Sequence, residues 1–257
     1  MADTTPPGYL PAGTIWHPSP NHGPRRGDGR IDMVVIHYTA MADAASAIER
    51  LCDPASAVSA HYLIARDGAL TAMVAEDRRA WHAGAAFWAG ERDINSRSIG
   101  IELDSLGIDG DGAPVPFCER QMARLERLLA EIMMRHPVPP ERVLGHACVA
   151  PTRKRDPGPA FDWRRLALQG LAVWHDPAPD AALDRADGDA ESFRHAATSI
   201  GMDLDLAGGW DDAARAAWSA LAARLLPASV GHGTAGTGAI RHLSEIARRY
   251  PGRGAAA

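Results

Sequence analysis

Residues 145–158 read GHACVAPTRKRDPG and set a histidine, a lysine and a carboxylate beside a Pro-Gly turn. Pro157 disfavours the helical region for Asp156, so this segment is predicted to be extended. Side chains two positions apart on an extended segment face the same side. Asp156 could therefore bind a metal ion together with His146, while Lys154 places a positive charge in the same cavity. One more imidazole would complete three protein ligands, and catalytic zinc sites typically keep a fourth position open for water.

An early apolar strand offers that imidazole. Residues 31–39 read IDMVVIHYT, a short run that predicts a buried strand with His37 near its C-terminal end. Strand ends in α/β sheets are where functional sites collect. His37 is therefore a candidate metal ligand, and an ordinary core histidine is the alternative.

A later apolar run carries one carboxylate. Residues 98–103 read SIGIEL, which predicts a strand on which Glu102 faces opposite to its two isoleucine neighbours. Burying an unpaired charge is costly, so this carboxylate needs a partner. It is either a general base beside a metal-activated water or one half of a salt bridge to an arginine.

Several blocks in a fixed order resemble the zinc-dependent N-acetylmuramoyl-L-alanine amidases of the AmpD and AmiD type, relatives of T7 lysozyme and of the peptidoglycan recognition proteins. The matching blocks are His37-Tyr38, VSAHYLI at 58–64, RDG at 66–68, AWHAG at 80–84, residues 95–102, Gly145-His146 and KRDPGP at 154–159. Members of this family cleave the amide between the lactyl group of N-acetylmuramic acid and L-alanine. The resemblance therefore implies peptidoglycan fragments or the intact sacculus as substrate.

The resemblance also implies roles for single residues. It makes His37, His146 and Asp156 the ligands of Zn²⁺. It makes Glu102 the acid/base residue and Lys154 the cation that stabilises the transition state. The implied substrate-binding residues are Arg66, His82, Asn95 and Arg153.

Some nearby residues have competing interpretations. Arg66 is either a contact to a stem-peptide carboxylate or a solvated arginine of the hairpin that Asp67-Gly68 closes. His82 either lines the cleft or packs inside the fold. We interpret His61 as structural, and His17 and His22 as exposed side chains instead of ligands. Cys148 lies near the predicted site in sequence, but we do not expect it to be a fourth ligand.

The predicted fold class is α/β, with a mixed central β-sheet flanked by helices and a small C-terminal helical domain. Apolar periodicity predicts helices over residues 43–52, 117–136, 162–169, 189–200, 211–226 and 238–250. We predict a catalytic domain over 1–174, a linker rich in Pro, Ala and Asp over 175–190, and a helical domain over 191–257. The last weakly resembles the peptidoglycan-binding domain of AmiD-like proteins, and a packing role is the alternative.

Composition is typical of a water-soluble enzyme. The 257 residues are 46% hydrophobic and 23% charged, with a net charge of -5, which argues against nucleic acid as a partner. No run approaches the length of a membrane span. The N-terminus lacks the features of a secretory signal, so we expect a cytoplasmic protein, or a periplasmic or released one if the N-terminus is truncated. The 3 cysteines lack framework spacing and are expected to be free thiols.

Three functional interpretations stay open at this point. The first is a zinc amidase of cell-wall turnover or recycling, and the second is a recognition module that binds stem peptide without cutting it. The third, a phage-type endolysin, differs from the first in biological use and not in chemistry. The full set of three ligands with Glu102 and Lys154 favours the enzyme, since recognition alone needs none of this machinery.

Overall fold

The computed structural model describes residues 5–178 and 187–252. They fall into two compact units, one within residues 1–84 and 93–144 and the other within residues 85–92 and 145–257. The predicted domain boundary at residue 174 stays a prediction, and residues 179–186 of the predicted linker lie outside the described residues. Among the described residues, no helix is both long enough and apolar enough to cross a membrane.

Within residues 5–178 and 187–252, eight strands form a six-stranded mixed sheet and a two-stranded ribbon. They are β1 (Thr14–Trp16), β2 (His22–Pro24), β3 (Met33–Tyr38), β4 (Tyr62–Ile64), β5 (Leu70–Ala72), β6 (Arg78–Ala80), β7 (Ser98–Leu103) and β8 (Val143–Gly145). The sheet has the order β1-β5-β4-β7-β3-β8, and β2 pairs with β6. Strands β3 and β4 run parallel to β7, while β4 and β5 are antiparallel. The predicted mixed sheet and the Asp67-Gly68 hairpin are thereby confirmed.

The described part of the first unit contains the α-helices α1 (Ala44–Cys52), α2 (Ile94–Arg97) and α3 (Glu119–Arg135). Asp43 caps α1, because its side chain accepts a hydrogen bond from the backbone N–H of Ser46. Helix α3 buries an apolar stripe at helical spacing, as the sequence predicts. Its buried apolar residues are Met122, Leu125, Leu128, Leu129 and Ile132.

The second unit contains α4 (His146–Val149), α5 (Trp163–Ala167), α6 (Ala190–Ile200), α7 (Asp212–Leu225) and α8 (Thr237–Arg249). Asp189 and Asp211 cap α6 and α7, which explains why these helices begin where the sequence predicts. Helix α6 packs against α7 and α8, and α7 also packs against α4. The C-terminal helices therefore share a compact unit with the segment that contains His146 and Asp156.

Candidate metal centre

His37 and Glu102 are partners across two neighbouring strands. In the parallel register of β3 and β7, His37 pairs with Glu102, Val35 with Gly100 and Met33 with Ser98. Paired residues of a parallel ladder project from the same face of a sheet. Glu102 is half-buried as a residue and His37 is 2% exposed. The imidazole and the carboxylate therefore project side by side from one face of the sheet.

A second imidazole, that of His82, lies against His37. His37 Nε2 and His82 Nδ1 are 3.1 Å apart, and His82 Nε2 is 3.2 Å from Ser98 Oγ. The side-chain oxygen of Asn95 accepts hydrogen bonds from the backbone N–H groups of His82 and Ala83. His82 is therefore buried and held in place on both its backbone and its ring.

Gly100 makes room for that ring. A Cβ atom at position 100 would lie 2.5 Å from Cγ of His82, far inside van der Waals contact. The alternation of Ser98, Gly100 and Glu102 on one face of β7 thus combines a hydroxyl, a gap and a carboxylate. Only the carboxylate is predicted from the sequence; the hydroxyl and the gap are not, although their period of two is visible in SIGIEL.

His61 has the structural role that the sequence predicts. It is fully buried, its Nδ1 accepts a hydrogen bond from the N–H of Gly100 at 3.0 Å, and its Nε2 lies 3.1 Å from the carbonyl oxygen of Arg78. Burial, assisted by the charge of Arg25, lowers the pKa of His61 to about 3. His61 is therefore neutral and supports β7 through its hydrogen bond to the backbone of Gly100.

His146 and Asp156 form a pair in the second unit. His146 is the first residue of α4, and its Nδ1 lies 3.0 Å from Oδ2 of Asp156. The N–H of Ala147 also donates to the backbone oxygen of Asp156 at 2.8 Å. Gly145 permits this approach, since a Cβ there would lie 2.6 Å from Cδ of Pro157. Both side chains are buried.

Lys154 lies between turns at residues 151–153 and 156–157. Its backbone N–H donates to the carbonyl of Ala150 at 3.0 Å, and its side chain is half-buried. It is the only lysine of the sequence. Arg153 is exposed, and its guanidinium donates to the backbone oxygen of Ala85.

The remaining candidates already have protein partners. Arg66 donates to the carbonyl of Ala42 at 3.1 Å and forms an ion pair of 3.3 Å with Asp104. Its predicted contact to a stem-peptide carboxylate, like those of His82, Asn95 and Arg153, stays a prediction.

The predicted exposure is confirmed for His17 and is wrong for His22. His17 is exposed, whereas His22 is half-buried and its Nδ1 accepts from Arg78 at 3.4 Å. Cys148 is buried, with Arg224 Nη1 at 3.8 Å from its sulphur.

His37, His146 and Asp156 together offer a zinc-type donor set. Each contributes one ligand atom, all three residues are buried, and these atoms lie within 4.8 Å of one another. Two nitrogens and one carboxylate oxygen are ligands that zinc takes at about 2.0–2.2 Å. Two such atoms around a tetrahedral ion are roughly 3.4 Å apart by that geometry, close to the 3.0 Å between His146 and Asp156. The donor set fits zinc.

Comparison with known proteins places these features in one family. The family model described as N-acetylmuramoyl-L-alanine amidase, Amidase_2, matches residues 27–159. AmiD of Escherichia coli is 40% identical over 157 residues, which are 57% of this chain and 56% of AmiD. AmpD of Enterobacter cloacae is 35% identical over 166 residues, 58% of this chain and 86% of AmpD. By sequence, the chain thus spans little more than half the length of AmiD.

Solved structures resemble the chain over more of its length. The complex of E. coli AmiD with anhydro-N-acetylmuramic acid-L-Ala-D-γ-Glu-L-Lys superposes with a TM-score of 0.76 at 30% identity, covering 88% of this chain and 93% of that one. AmpDH3 of Pseudomonas aeruginosa gives a TM-score of 0.74 at 26% identity, covering 97% and 99%. These similarities extend into the helical C-terminal region.

Proposed function

Since this chain belongs to the Amidase_2 family of N-acetylmuramoyl-L-alanine amidases, we propose that it hydrolyses the amide bond between N-acetylmuramic acid and L-alanine. The substrate that we propose is a peptidoglycan fragment with a 1,6-anhydro-muramyl end, released during cell-wall turnover. Two similar proteins support this choice, because solved structures show AmiD and AmpDH3 in complex with anhydromuramyl peptides.

The observation that carries the proposal is the group formed by His37, His146 and Asp156. We propose that these residues hold one Zn²⁺ ion. Three protein ligands leave a position for the reacting groups, as in other catalytic zinc sites. When bound, zinc acts as a Lewis acid that polarises a carbonyl group and lowers the pKa of water.

Glu102 is the proposed proton carrier. Its carboxylate takes a proton from the attacking water as the water oxygen bonds to the lactyl carbonyl carbon. The same proton then passes to the nitrogen of L-alanine as the C–N bond breaks, so the products are a free carboxylic acid and a free amine. Support for this role comes from the register of Glu102 with His37 on β7 and β3, since a rigid sheet fixes the distance from base to ligand.

Lys154 is the proposed electrostatic partner of the oxyanion that develops on the lactyl carbonyl. A fixed positive charge stabilises this oxyanion without reorganisation. Lys154 is two residues from Asp156 in sequence, and its backbone N–H donates a hydrogen bond to the backbone oxygen of Ala150. That short connection supports a fixed position for the lysine relative to the proposed ligand.

Mass spectrometry of digests tests the proposed reaction. Purified full-length protein, with and without added Zn²⁺, is incubated with an anhydromuramyl tripeptide and with intact sacculi. Release of the free tripeptide from the soluble substrate is the expected result. Binding of the fragment without cleavage would instead show a recognition module, and cleavage of sacculi alone would show a wall-lytic enzyme.

A further inference from the structure

A hydrogen-bonded chain of three side chains ends at His37. It begins at Ser98, whose hydroxyl oxygen lies 2.6 Å from the backbone oxygen of Ile94. Two oxygens at this distance need a proton between them, and a carbonyl has none to give. The single hydroxyl proton of Ser98 is therefore committed to Ile94.

Because the hydroxyl proton of Ser98 is used in this hydrogen bond, the tautomer of His82 is determined as well. Ser98 Oγ can only accept from His82 Nε2, which lies 3.2 Å away. His82 is 9% exposed, and a buried imidazolium would be costly, so the ring is neutral and carries one N–H. Because that N–H is on Nε2, the Nδ1 atom of His82 has a lone pair and accepts.

The tautomer of His37 follows from that of His82. His37 Nε2 lies 3.1 Å from Nδ1 of His82, so His37 must donate and its proton is on Nε2. In the neutral ring, which is the form that binds metals, the lone pair is then on Nδ1. The ring orientation is fixed at the same time, since Nε2 is held by His82.

The surrounding residues hold His82 in this geometry. Asn95 accepts from the backbone N–H groups of His82 and Ala83, and Gly100 leaves the space that the ring occupies. We propose that His82 is a positioning residue that fixes the tautomer and ring orientation of His37 and so prepares His37 Nδ1 to bind zinc. The consequence for zinc rests on the proposed function, whereas the tautomer is a property of the metal-free protein.

The chemical identity of His82 also matters to the site. Metal-bound histidines often donate to a carboxylate, which adds negative charge near the metal. His82 is a neutral acceptor, so it orients His37 without adding a second anion to that of Asp156. Of the three proposed ligands only Asp156 would then carry a negative charge, and a small number of anionic ligands favours polarisation of a substrate carbonyl when zinc is bound.

Nitrogen-15 NMR of the imidazoles tests the tautomers directly. Metal-free wild-type protein, labelled with ¹⁵N-histidine, is examined at a slightly alkaline pH, and His37 signals are assigned by their loss in His37→Gln. Both His37 and His82 are expected to carry the proton on Nε2. A His37 ring protonated on Nδ1 would overturn the proposal, and this measurement requires no His82 variant to fold.

Zinc affinity, measured by competition with a chelator, tests the consequence. His82→Leu removes the acceptor and should weaken zinc binding by about 10- to 100-fold. His82→Asn keeps an amide oxygen near the place of Nδ1 and should bind zinc within a few-fold of wild type. Wild-type affinity in His82→Leu would overturn the proposed role. If His146→Ala also bound zinc normally, the proposed metal site itself would be wrong, and the NMR result would still decide the tautomer.

Discussion

Glu102 lies directly opposite His37 across the parallel strands β3 and β7. Neighbouring strands are about 4.8 Å apart, and both strands are almost entirely buried. Backbone hydrogen bonds thus determine the spacing between the proposed base and the proposed ligand. This places the reactive pair on two interior strands of the six-stranded sheet, and sites built on strands are held more precisely than sites on loops.

Glu102→Gln is expected to separate proton transfer from metal binding. The amide is nearly isosteric but cannot accept a proton, so kcat should fall by about 10² or more while the zinc content stays at the wild-type level. Steady-state kinetics on an anhydromuramyl peptide and elemental analysis measure the two effects. Glu49, which is exposed on α1, gives a matched control in Glu49→Gln. Near-normal turnover in Glu102→Gln would remove Glu102 from the mechanism.

Substitution of a proposed ligand should deplete the metal. The wild-type protein is expected to carry about one zinc ion per chain, as a three-ligand site implies. His146→Ala and Asp156→Ala should each lose most of it, as measured by inductively coupled plasma mass spectrometry after dialysis. The exposed His17 provides the control His17→Ala, which should keep full occupancy. Equal zinc in His146→Ala and wild type would show that the ion binds elsewhere.

Lys154 can be tested by chemistry as well as by mutation. Lys154→Met should lower kcat by about 10²–10³, as expected for loss of one oxyanion partner, whereas Arg155→Met should not. Since Lys154 is the only lysine, amine reagents modify just this side chain and the N-terminal amine. Acetylation, which removes the charge, should inactivate the enzyme, and reductive methylation, which keeps it, should spare much of the activity. Equal activity after both treatments would contradict a role for the charge.

Much of the fold was predictable because its signals are local. The apolar runs that form β3 and β7, the Asp67-Gly68 turn and the stripe of α3 are each contained in one short segment. The aspartates that begin α1, α6 and α7 are equally local, since a cap is an interaction over three residues. Helix limits accordingly differ from the predicted ones by only a few residues.

The environment of the site was less predictable because it depends on contacts between distant segments. The sequence leaves His82 open between a cleft wall and packing inside the fold, because its hydrogen bond to His37 joins residues 45 positions apart. Asn95 stays a predicted substrate contact, and nothing in the sequence indicates that its side-chain oxygen also accepts hydrogen bonds from the backbone N–H groups of His82 and Ala83. Periodicity gives no information on such pairs, whereas a small residue among large ones, such as Gly100 in SIGIEL, is a usable sign of close approach.

His61 should make the stability of the fold depend on acid. Its pKa in the folded protein is about 3, lowered by burial, against about 6.5 in an unfolded chain. Below pH 6.5 the imidazole of residue 61 is therefore protonated in the unfolded chain but stays neutral in the folded protein. The free energy of unfolding consequently falls as the pH drops towards 3. His61→Gln should be less stable at pH 7.5 but lose less between pH 7.5 and 5 in urea titrations. The exposed control His17→Gln should follow the wild-type slope, and parallel slopes in all three proteins would contradict this assignment.

Removal of the C-terminal helices should weaken the part of the fold that presents His146. Arg224 of α7 lies 3.8 Å from the sulphur of Cys148 in α4, and its guanidinium is 4.6 Å from the ring centroid of Trp163 in α5. A chain that ends at residue 178 would expose this side of α4, whose first residue is His146. We therefore expect a lower Tm and weaker zinc binding than in the full chain, measured by calorimetry and chelator competition.

Arg224→Met, which keeps the helices but removes the guanidinium, should show a smaller loss of both. If the shortened chain kept the Tm and zinc affinity of the full one, the helices would be an independent module, and their role would have to be sought in binding to the cell wall.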